Sequence, residues 1–329
     1  MHHRVACLDV WSTAVRELVR QSAPAGFELH FADSYDTTEQ MALAGPAAFI
    51  VAGFAAVDAA MIAHATGLRL IHKWGVGYDR IDLDAARLRG VGLAITTGAN
   101  AAPVAELAIG LMLGVYRRLP YVNRAMREGR WPNPEMRETC FQIAGKTIGL
   151  VGFGHIGRML ARRLRGFDAR IIYCDLQRAD ASTETALAAS YTPLQELLAC
   201  SDIVSLHAPL TAQTRLMINA ASIAAMKDGA VLINTARGEL VDEDALYQAL
   251  LSGKLRGAGL DAFAPEPPRS DNPLLQLDQV VLTPHSGGGV FDNVANVARH
   301  VFNNLQRFLR GEAIPAADLI LPPLQRSPA

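Results

Sequence analysis

The sequence predicts an α/β protein built from two doubly wound parallel-sheet domains. Short runs rich in β-branched residues alternate with longer helical patterns nearly from end to end. That is the order expected of βαβ units whose parallel strands are covered by helices on both faces. The length of 329 residues suits about two domains of roughly 100–200 residues, each able to bury its own core.

Taken in order, the first hundred residues predict strands over Val5–Val10, Phe49–Ala52, Leu70–Lys73 and Leu93–Thr96. Helical patterns lie between them near Thr13–Gln21, Val57–Ala65 and Leu83–Arg89. A long apolar helix then runs from Pro103 through Ala105, Leu107, Ala108, Leu111 and Met112 to Val115, with the proline suited to a first helical turn. Such a helix could bridge two domains. The stretch Pro120–Phe141, with Trp131, Pro132 and Pro134, has little periodicity and reads as a protruding arm.

Alternation restarts at Gly145, with strands predicted at Thr147–Gly152, Arg170–Cys174, Ile203–His207, Val231–Asn234, Ala258–Leu260 and Val280–Thr283. Six such strands suffice for a dinucleotide-binding sheet. A last helical pattern, Val290–Leu309, is ended by Gly311, and the proline-rich tail from Pro315 is expected to be extended or mobile. The expected domains are residues 1–100 with 288–329, and residues 101–287.

Composition excludes several classes of function. Half of the residues are hydrophobic and 19% are charged, a balance that excludes a disordered chain. With 31 Lys+Arg against 32 Asp+Glu, no net field is available to hold nucleic acid or an anionic membrane, which leaves a small molecule as the expected partner. Cys7, Cys140, Cys174 and Cys200 form no C-x-x-C pair; reduced thiols are expected, with no disulfide framework and no metal site. The opening MHHRVACLDV has no apolar signal region, and Ala47–Ala65 is interrupted by Asp58 and His64. A cytoplasmic protein is the expectation.

The segment Thr147–Gly157 runs a strand directly into G-x-G-x-x-G and then a helix. Gly152 permits the tight turn, Gly154 lets backbone approach a pyrophosphate, and Gly157 lets helix pack on strand. Together with His155 and Ile156, these residues are the candidate cofactor loop, whose N–H groups would meet the phosphates at the helix N-terminus. Asp175, at the end of the next strand, would accept hydrogen bonds from the adenosine ribose and repel a 2′-phosphate, which favours NAD. NADP stays open, because Arg178 could accommodate that phosphate. Glycine-rich turns also bind S-adenosylmethionine, so residues downstream must decide. No Tyr is followed four residues later by Lys, as a short-chain dehydrogenase site would require.

Three polar residues fall at or just beyond the last predicted strands: Arg237, Glu266 and His285. In open α/β sheets, ligands bind at that edge. Reduction of a 2-oxo acid needs a cation for the carboxylate and carbonyl, a proton donor for the developing alkoxide, and a group that keeps the donor protonated. Arg237 offers a planar, permanently charged fork. His285 can give a proton in reduction and take one in oxidation. Glu266 would stabilise its imidazolium form. Lys73, just before Gly75-Val76-Gly77, could reach a second charged group on the substrate, such as a phosphate.

Blocks spread along the chain carry a resemblance. They are Gly75-Val76-Gly77-Tyr78-Asp79, Thr97-Gly98-Ala99-Asn100, the Gly152–Gly157 loop, His207-Ala208-Pro209-Leu210-Thr211, Asn234-Thr235-Ala236-Arg237-Gly238, Gly259-Leu260-Asp261-Ala262-Phe263, Pro265-Glu266-Pro267 and Thr283-Pro284-His285. Over nearly its whole length the sequence closely resembles the D-isomer-specific 2-hydroxyacid dehydrogenases. That family includes D-3-phosphoglycerate, D-lactate, glyoxylate and formate dehydrogenases.

The resemblance implies a flavodoxin-like substrate domain split in sequence by a Rossmann NAD-binding domain, with a cleft that closes on binding. It implies a catalytic triad of Arg237, Glu266 and His285. It puts the substrate carboxylate on backbone around Val76 and Gly77, with Asn100 positioning the cleft wall. It brings Asp261 beside the nicotinamide carboxamide, with Thr235, Ala236 and Arg237 along the same ring. His207 and Pro209 resemble the cofactor-edge loop, where a structural role is as plausible as contact. Ser286-Gly287-Gly288-Gly289 departs from the family's usual continuation after the histidine, which bears on substrate shape.

The resemblance, with the apolar helix and the Trp131 arm, also implies a two-fold homodimer. Two other readings share these residues: an NAD(H)-sensing scaffold without catalysis, and a dehydrogenase of formate or phosphite.

Overall fold

A computed structural model describes residues 2–324. The chain divides into two compact units, one of residues up to Asn100 with those from Gly289 onward, the other Ala101–Gly288.

The first unit begins with β1 (His3–Cys7), α1 (Thr13–Ser22), β2 (Phe27–Phe31), α2 (Thr37–Ala44) and β3 (Phe49–Ala52). It continues through α3 (Ala59–His64), β4 (Leu70–Lys73), α4 (Leu83–Arg89) and β5 (Gly92–Ala94). The second unit holds α5 (Ala101–Tyr116), α6 (Leu119–Arg127), α7 (Asn133–Thr139), β6 (Thr147–Val151), α8 (His155–Leu164) and β7 (Arg170–Cys174). After these come α9 (Ala181–Leu187), β8 (Ala189–Tyr191), α10 (Leu194–Cys200), β9 (Ile203–Leu206) and α11 (Ala220–Ala225). It closes with β10 (Ala230–Asn234), α12 (Glu243–Leu251), β11 (Leu255–Leu260) and β12 (Val280–Leu282). The chain then returns to the first unit for α13 (Val294–Leu309) and β13 (Leu319–Leu321).

The first sheet has the order β13-β5-β4-β3-β1-β2, parallel except for β13 against β5. Its central strands are apolar at successive positions because both faces are covered. Val5, Cys7, Phe49 and Val51 pack with Val301, Phe302 and Leu305 of α13, while Ala6, Ile50 and Ala52 pack toward Met61, Ile62 and Ala86. This double burial is why strict alternation is absent in these strands. Asp36, Asp58 and Asp82 start α2, α3 and α4 by accepting backbone N–H bonds from Glu39, Met61 and Ala85, which satisfies donors the helix itself cannot.

The second sheet is wholly parallel, in the order β12-β11-β10-β9-β6-β7-β8. α5 belongs to this unit. Its Ala105, Ala108, Leu111 and Met112 are buried with Ile148, Leu160, Val231 and Ile233 in one core cluster.

Several expectations are corrected. The first strand stops at Cys7, because Asp9 turns its carboxylate to the backbone N–H groups of Gly53, Phe54 and Ala55. The fourth stops at Ala94; Thr96 bonds to Gly75 through backbone and hydroxyl instead. The expected aperiodic arm contains two helices, α6 and α7. Glu135 ties them together by accepting from Arg118 at 2.6 Å and from the Tyr121 hydroxyl at 2.8 Å.

The tail from Pro315 carries β13, whose partner β5 supplies backbone hydrogen bonding; the tail's last residues, 325–329, lie outside the described range. The second sheet has a seventh strand, the edge strand β8. β2 and α2 lie outside the predicted elements, though Phe27-Glu28-Leu29-His30-Phe31 alternates as an edge strand should.

Candidate active site

In a parallel sheet all strands present their C-terminal ends along one edge, and β10, β11 and β12 are neighbours in the second sheet. Arg237 follows β10, Glu266 follows β11 and His285 follows β12, so chain direction alone brings the three loops to one edge. Glu266 Oε1 lies 2.7 Å from His285 Nδ1, and the same oxygen accepts the Phe263 N–H at 3.2 Å. Both side chains are half-buried, 16% and 25% exposed, so the pair is shielded without being cut off from a ligand. His285 sits in the left-handed region at φ 49°, a conformation that costs a non-glycine residue energy and recurs at functional sites.

Asp261 organises the loop that carries His285. Its carboxylate is 1% exposed and accepts the Thr283 hydroxyl at 2.7 Å and the Ser286 and Gly287 N–H groups at 2.8 and 2.9 Å.

Arg237 is set by the Asn234 side chain, which accepts the Ala236 N–H at 3.0 Å and donates to the Arg237 carbonyl at 2.8 Å. Its guanidinium Nη1 donates to the Ala236 carbonyl at 2.7 Å. The next residue must be glycine. A Cβ at Gly238 would lie 2.0 Å from the Phe263 carbonyl carbon. The Arg237 loop therefore packs on the Phe263–Ala264 peptide, next to the Phe263 N–H that Glu266 accepts.

At the glycine loop, a Cβ on Gly152, at φ 99°, would lie 2.6 Å from the His207 carbonyl carbon, and one on Gly157 would lie 2.3 Å from the Gly152 carbonyl oxygen. Gly154 differs, since a Cβ there meets nothing within 4 Å. Its surface, with the exposed His155 and half-buried Ile156, opens at the first turn of α8. The Asp175 carboxylate accepts the Phe153 N–H at 2.6 Å.

Residues 109–287 match the family described as "D-isomer specific 2-hydroxyacid dehydrogenase, NAD binding domain". A glyoxylate reductase of Korarchaeum cryptofilum is 41% identical over 262 residues, 79% of this chain and 78% of that protein. The chain belongs to this family. The dehydrogenase is also 44% identical to a hydroxypyruvate reductase of Thermotoga maritima over 233 residues, 70% of this chain and 74% of that one. Among solved structures, the NAD-dependent formate dehydrogenase from Staphylococcus aureus in complex with NAD is similar. Its TM-score is 0.86 at 26% identity, covering 97% of this chain and 99% of that one.

The enzyme is thus an NAD-dependent oxidoreductase, and its residues fit that cofactor. Among the described residues, the buried side-chain atoms without a hydrogen-bond partner are Arg4 Nε, Asn100 Oδ1, His207 Nδ1 and Thr235 Oγ1. Two of these, His207 and Thr235, are on the second unit and are residues the resemblance assigns to the cofactor. Buried polar atoms are seldom left unsatisfied, and a ligand rich in hydroxyl, amide and phosphate groups supplies partners. His207 Nε2 lies 2.9 Å from Ser205 Oγ. Burial pushes its imidazole down to about 4, so it stays neutral at pH 7 and is no proton donor there. Pro209 is exposed and Ala236 half-buried.

Lys73, Val76, Gly77 and Asn100 lie in the first unit. Lys73 is buried, 7% exposed, with its ammonium donating to the Gly53 carbonyl. Val76 and Gly77 are half-buried on the loop after β4. That loop is held at Gly75, which donates its N–H to Thr96 Oγ1 at 2.9 Å.

Two supporting carboxylates give no signal in the sequence. Asp9 reaches 44–46 residues along the chain to its loop. Glu243 accepts the Ala264 N–H at 2.9 Å and the Asn272 side-chain amide at 2.7 Å. Neither carries a local signal, since each acts through partners distant in sequence.

Among the described residues no group of His, Cys, Asp and Glu is placed to hold a metal, the four cysteines are unbridged, and no helix is long and apolar enough to cross a membrane.

Proposed function

We propose that the dehydrogenase interconverts a small D-2-hydroxy acid and its 2-oxo acid, working chiefly as a reductase, with His285, Arg237 and Glu266 as its catalytic residues. The observation that carries this reading is the 2.7 Å contact between Glu266 and His285 Nδ1. In this reading the contact holds the ring by Nδ1, and Nε2 exchanges the proton with the substrate oxygen. A nicotinamide held by these residues would supply the hydride for reduction and take it up in oxidation. His285 gives its proton to the oxygen that gains charge, and Glu266 steadies the imidazolium before transfer. Arg237 binds the carboxylate and polarises the carbonyl, a task its planar fork suits better than a lysine would.

In this reading Gly152, Gly154, His155, Ile156 and Gly157 hold the pyrophosphate, and Asp175 holds the adenosine ribose. Thr235, Ala236 and Asp261 line the nicotinamide, His207 and Pro209 the cofactor edge. On the first unit, Val76, Gly77 and Asn100 are the proposed substrate residues. The buried position of Lys73, its ammonium already on a backbone carbonyl, supports a substrate without a phosphate. Glyoxylate and hydroxypyruvate, named for the relatives above, are the leading substrates.

The formate dehydrogenase likeness keeps oxidation of formate as a second reading. It fits less well, because formate yields carbon dioxide and no alkoxide, and the paired imidazole would then have no oxygen to protonate.

A homodimer is part of the proposal, supported by the 73% exposure of Trp131 beyond α6. A cytoplasmic setting is also part of the proposal.

The test is steady-state turnover with NADH against glyoxylate, hydroxypyruvate, phosphohydroxypyruvate and pyruvate, beside formate with NAD. Highest kcat/KM on the first two is expected. Turnover of formate alone would overturn the proposal.

A further inference from the structure

We propose that Glu184 sets the NAD preference of this enzyme by holding the Arg178 guanidinium away from the position of an adenosine ribose 2′-phosphate. The inference rests on the reading that Asp175 marks the ribose site. Arg178 lies three residues beyond Asp175, on the segment after β7. It is the cation nearest in sequence to that site and the one that could neutralise a phosphate there. Its guanidinium is engaged elsewhere. Nε donates to Glu184 Oε1 and Nη2 to Glu184 Oε2, both at 2.9 Å, a two-point pair that uses the flat side of the fork.

Surface ion pairs usually hold weakly, because two long side chains must be ordered together. Here one partner is already ordered. The Glu184 side chain is only 14% exposed, against 65% for Arg178, and its Oε1 also accepts the Tyr173 hydroxyl at 2.7 Å. Tyr173 is fully buried, accepts the Ala179 N–H at 2.9 Å, and stacks on Phe153 at 3.8 Å between ring centroids. Phe153 lies between the first two glycines of the loop, and its N–H is the one bonded to Asp175.

The carboxylate that restrains Arg178 is thus part of the packing under the cofactor loop. Its arginine and tyrosine partners hold Glu184 down at about 2, so the pair stays charged across the working range. Only Arg178 loses freedom in forming it. A 2′-phosphate would have to break this pair to recruit the guanidinium while also meeting the Asp175 charge.

The experiment measures the affinity of ADP-ribose and of 2′-phospho-ADP-ribose by titration calorimetry, with the ratio of the two dissociation constants as the readout. Neither probe carries a nicotinamide, so turnover is not involved. Glu184→Gln keeps an acceptor for Tyr173 and should tighten 2′-phospho-ADP-ribose by about tenfold, the scale of one charge-assisted contact, with ADP-ribose changed by less than about twofold. Arg178→Ala in the wild-type background should move neither by more than about twofold, and combined with Glu184→Gln it should abolish the gain.

An unchanged ratio in Glu184→Gln overturns the proposal, as does a gain that survives in the double variant. If Glu184→Gln does not fold, Arg178→Ala alone decides. Weaker 2′-phospho-ADP-ribose binding would mean the guanidinium already reaches the phosphate; unchanged binding supports the restraint. Asp175→Asn tests the underlying reading separately. If it leaves the ratio unchanged while Glu184→Gln shifts it, the ribose assignment of Asp175 fails and the restraint stands.

Discussion

Glu266 holds His285 through Nδ1 at 2.7 Å and spends the same oxygen on the Phe263 backbone N–H. One carboxylate therefore orients the imidazole and holds the backbone N–H of Phe263, while the next peptide, Phe263–Ala264, on which the Arg237 loop packs, is held at its Ala264 N–H by Glu243 at 2.9 Å. The Glu266–His285 pair and the Arg237 loop thus touch consecutive peptides at Phe263.

Replacing His285 with Ala should lower kcat by about 10²–10⁴-fold, the usual contribution of a positioned acid or base. Affinity for NADH, measured by fluorescence titration, should stay within a factor of about two to three, because the cofactor loop lies on other strands. Wild-type turnover in this variant would remove His285 from the mechanism.

Arg237→Lys should raise KM for the oxo acid and also lower kcat, since a two-point contact and charge stabilisation at the carbonyl are lost together. The loss in kcat/KM is expected to be about 10²-fold or more, on the scale of a removed oxyanion donor. Steady-state kinetics with kcat unchanged would limit the residue to binding.

Gly238→Ala should damage both stability and turnover. Its Cβ would fall 2.0 Å from the Phe263 carbonyl carbon and 2.5 Å from the Ala264 nitrogen, so backbone on both sides must move. A loss of about 1–3 kcal/mol is expected for such overpacking. Denaturant titration measures it. A variant with unaltered midpoint and kcat would show that the two loops are not packed as described.

Stability should fall on acidification between about pH 6.5 and pH 4, in part because of His72. Burial pushes this imidazole down to about 4. It is fully buried, with Nδ1 3.0 Å from the Lys73 carbonyl and Nε2 3.1 Å from the Asn304 amide. With the folded value below the unfolded one, the unfolded chain binds more protons across that window. The neutral ring's contribution is then complete above about 6.5 and is lost as pH drops toward 4, to a total on the order of 3 kcal/mol. His72→Gln should flatten the dependence of the urea midpoint on pH in that window; an equally steep dependence would assign it to other groups.

Much of the fold was legible because parallel strands buried on both faces read as compact apolar runs. Phe49–Ala52, Leu70–Lys73 and Arg170–Cys174 match their strands residue for residue. The edges were not legible. β8 and β13 are three residues each, and β13 exists because β5 offers it backbone partners, which no local pattern announces. α6 and α7 escaped notice for a related reason, since Glu135 joins them through Arg118 and Tyr121 at separations of 17 and 14 residues.

The amino-acid order by itself determined the alternation of strand and helix, the glycine turn with an acid at the end of the following strand, and the placement of Arg237, Glu266 and His285 after successive strands. Those are local matters of periodicity and spacing. Only the folded chain decided that Glu266 engages Nδ1 of His285, that Gly238 lies against the Phe263 peptide, and that Arg178 is taken up by Glu184. Each depends on groups brought together by the sheet and its loops, and on distances of a few ångströms that spacing along a chain does not encode.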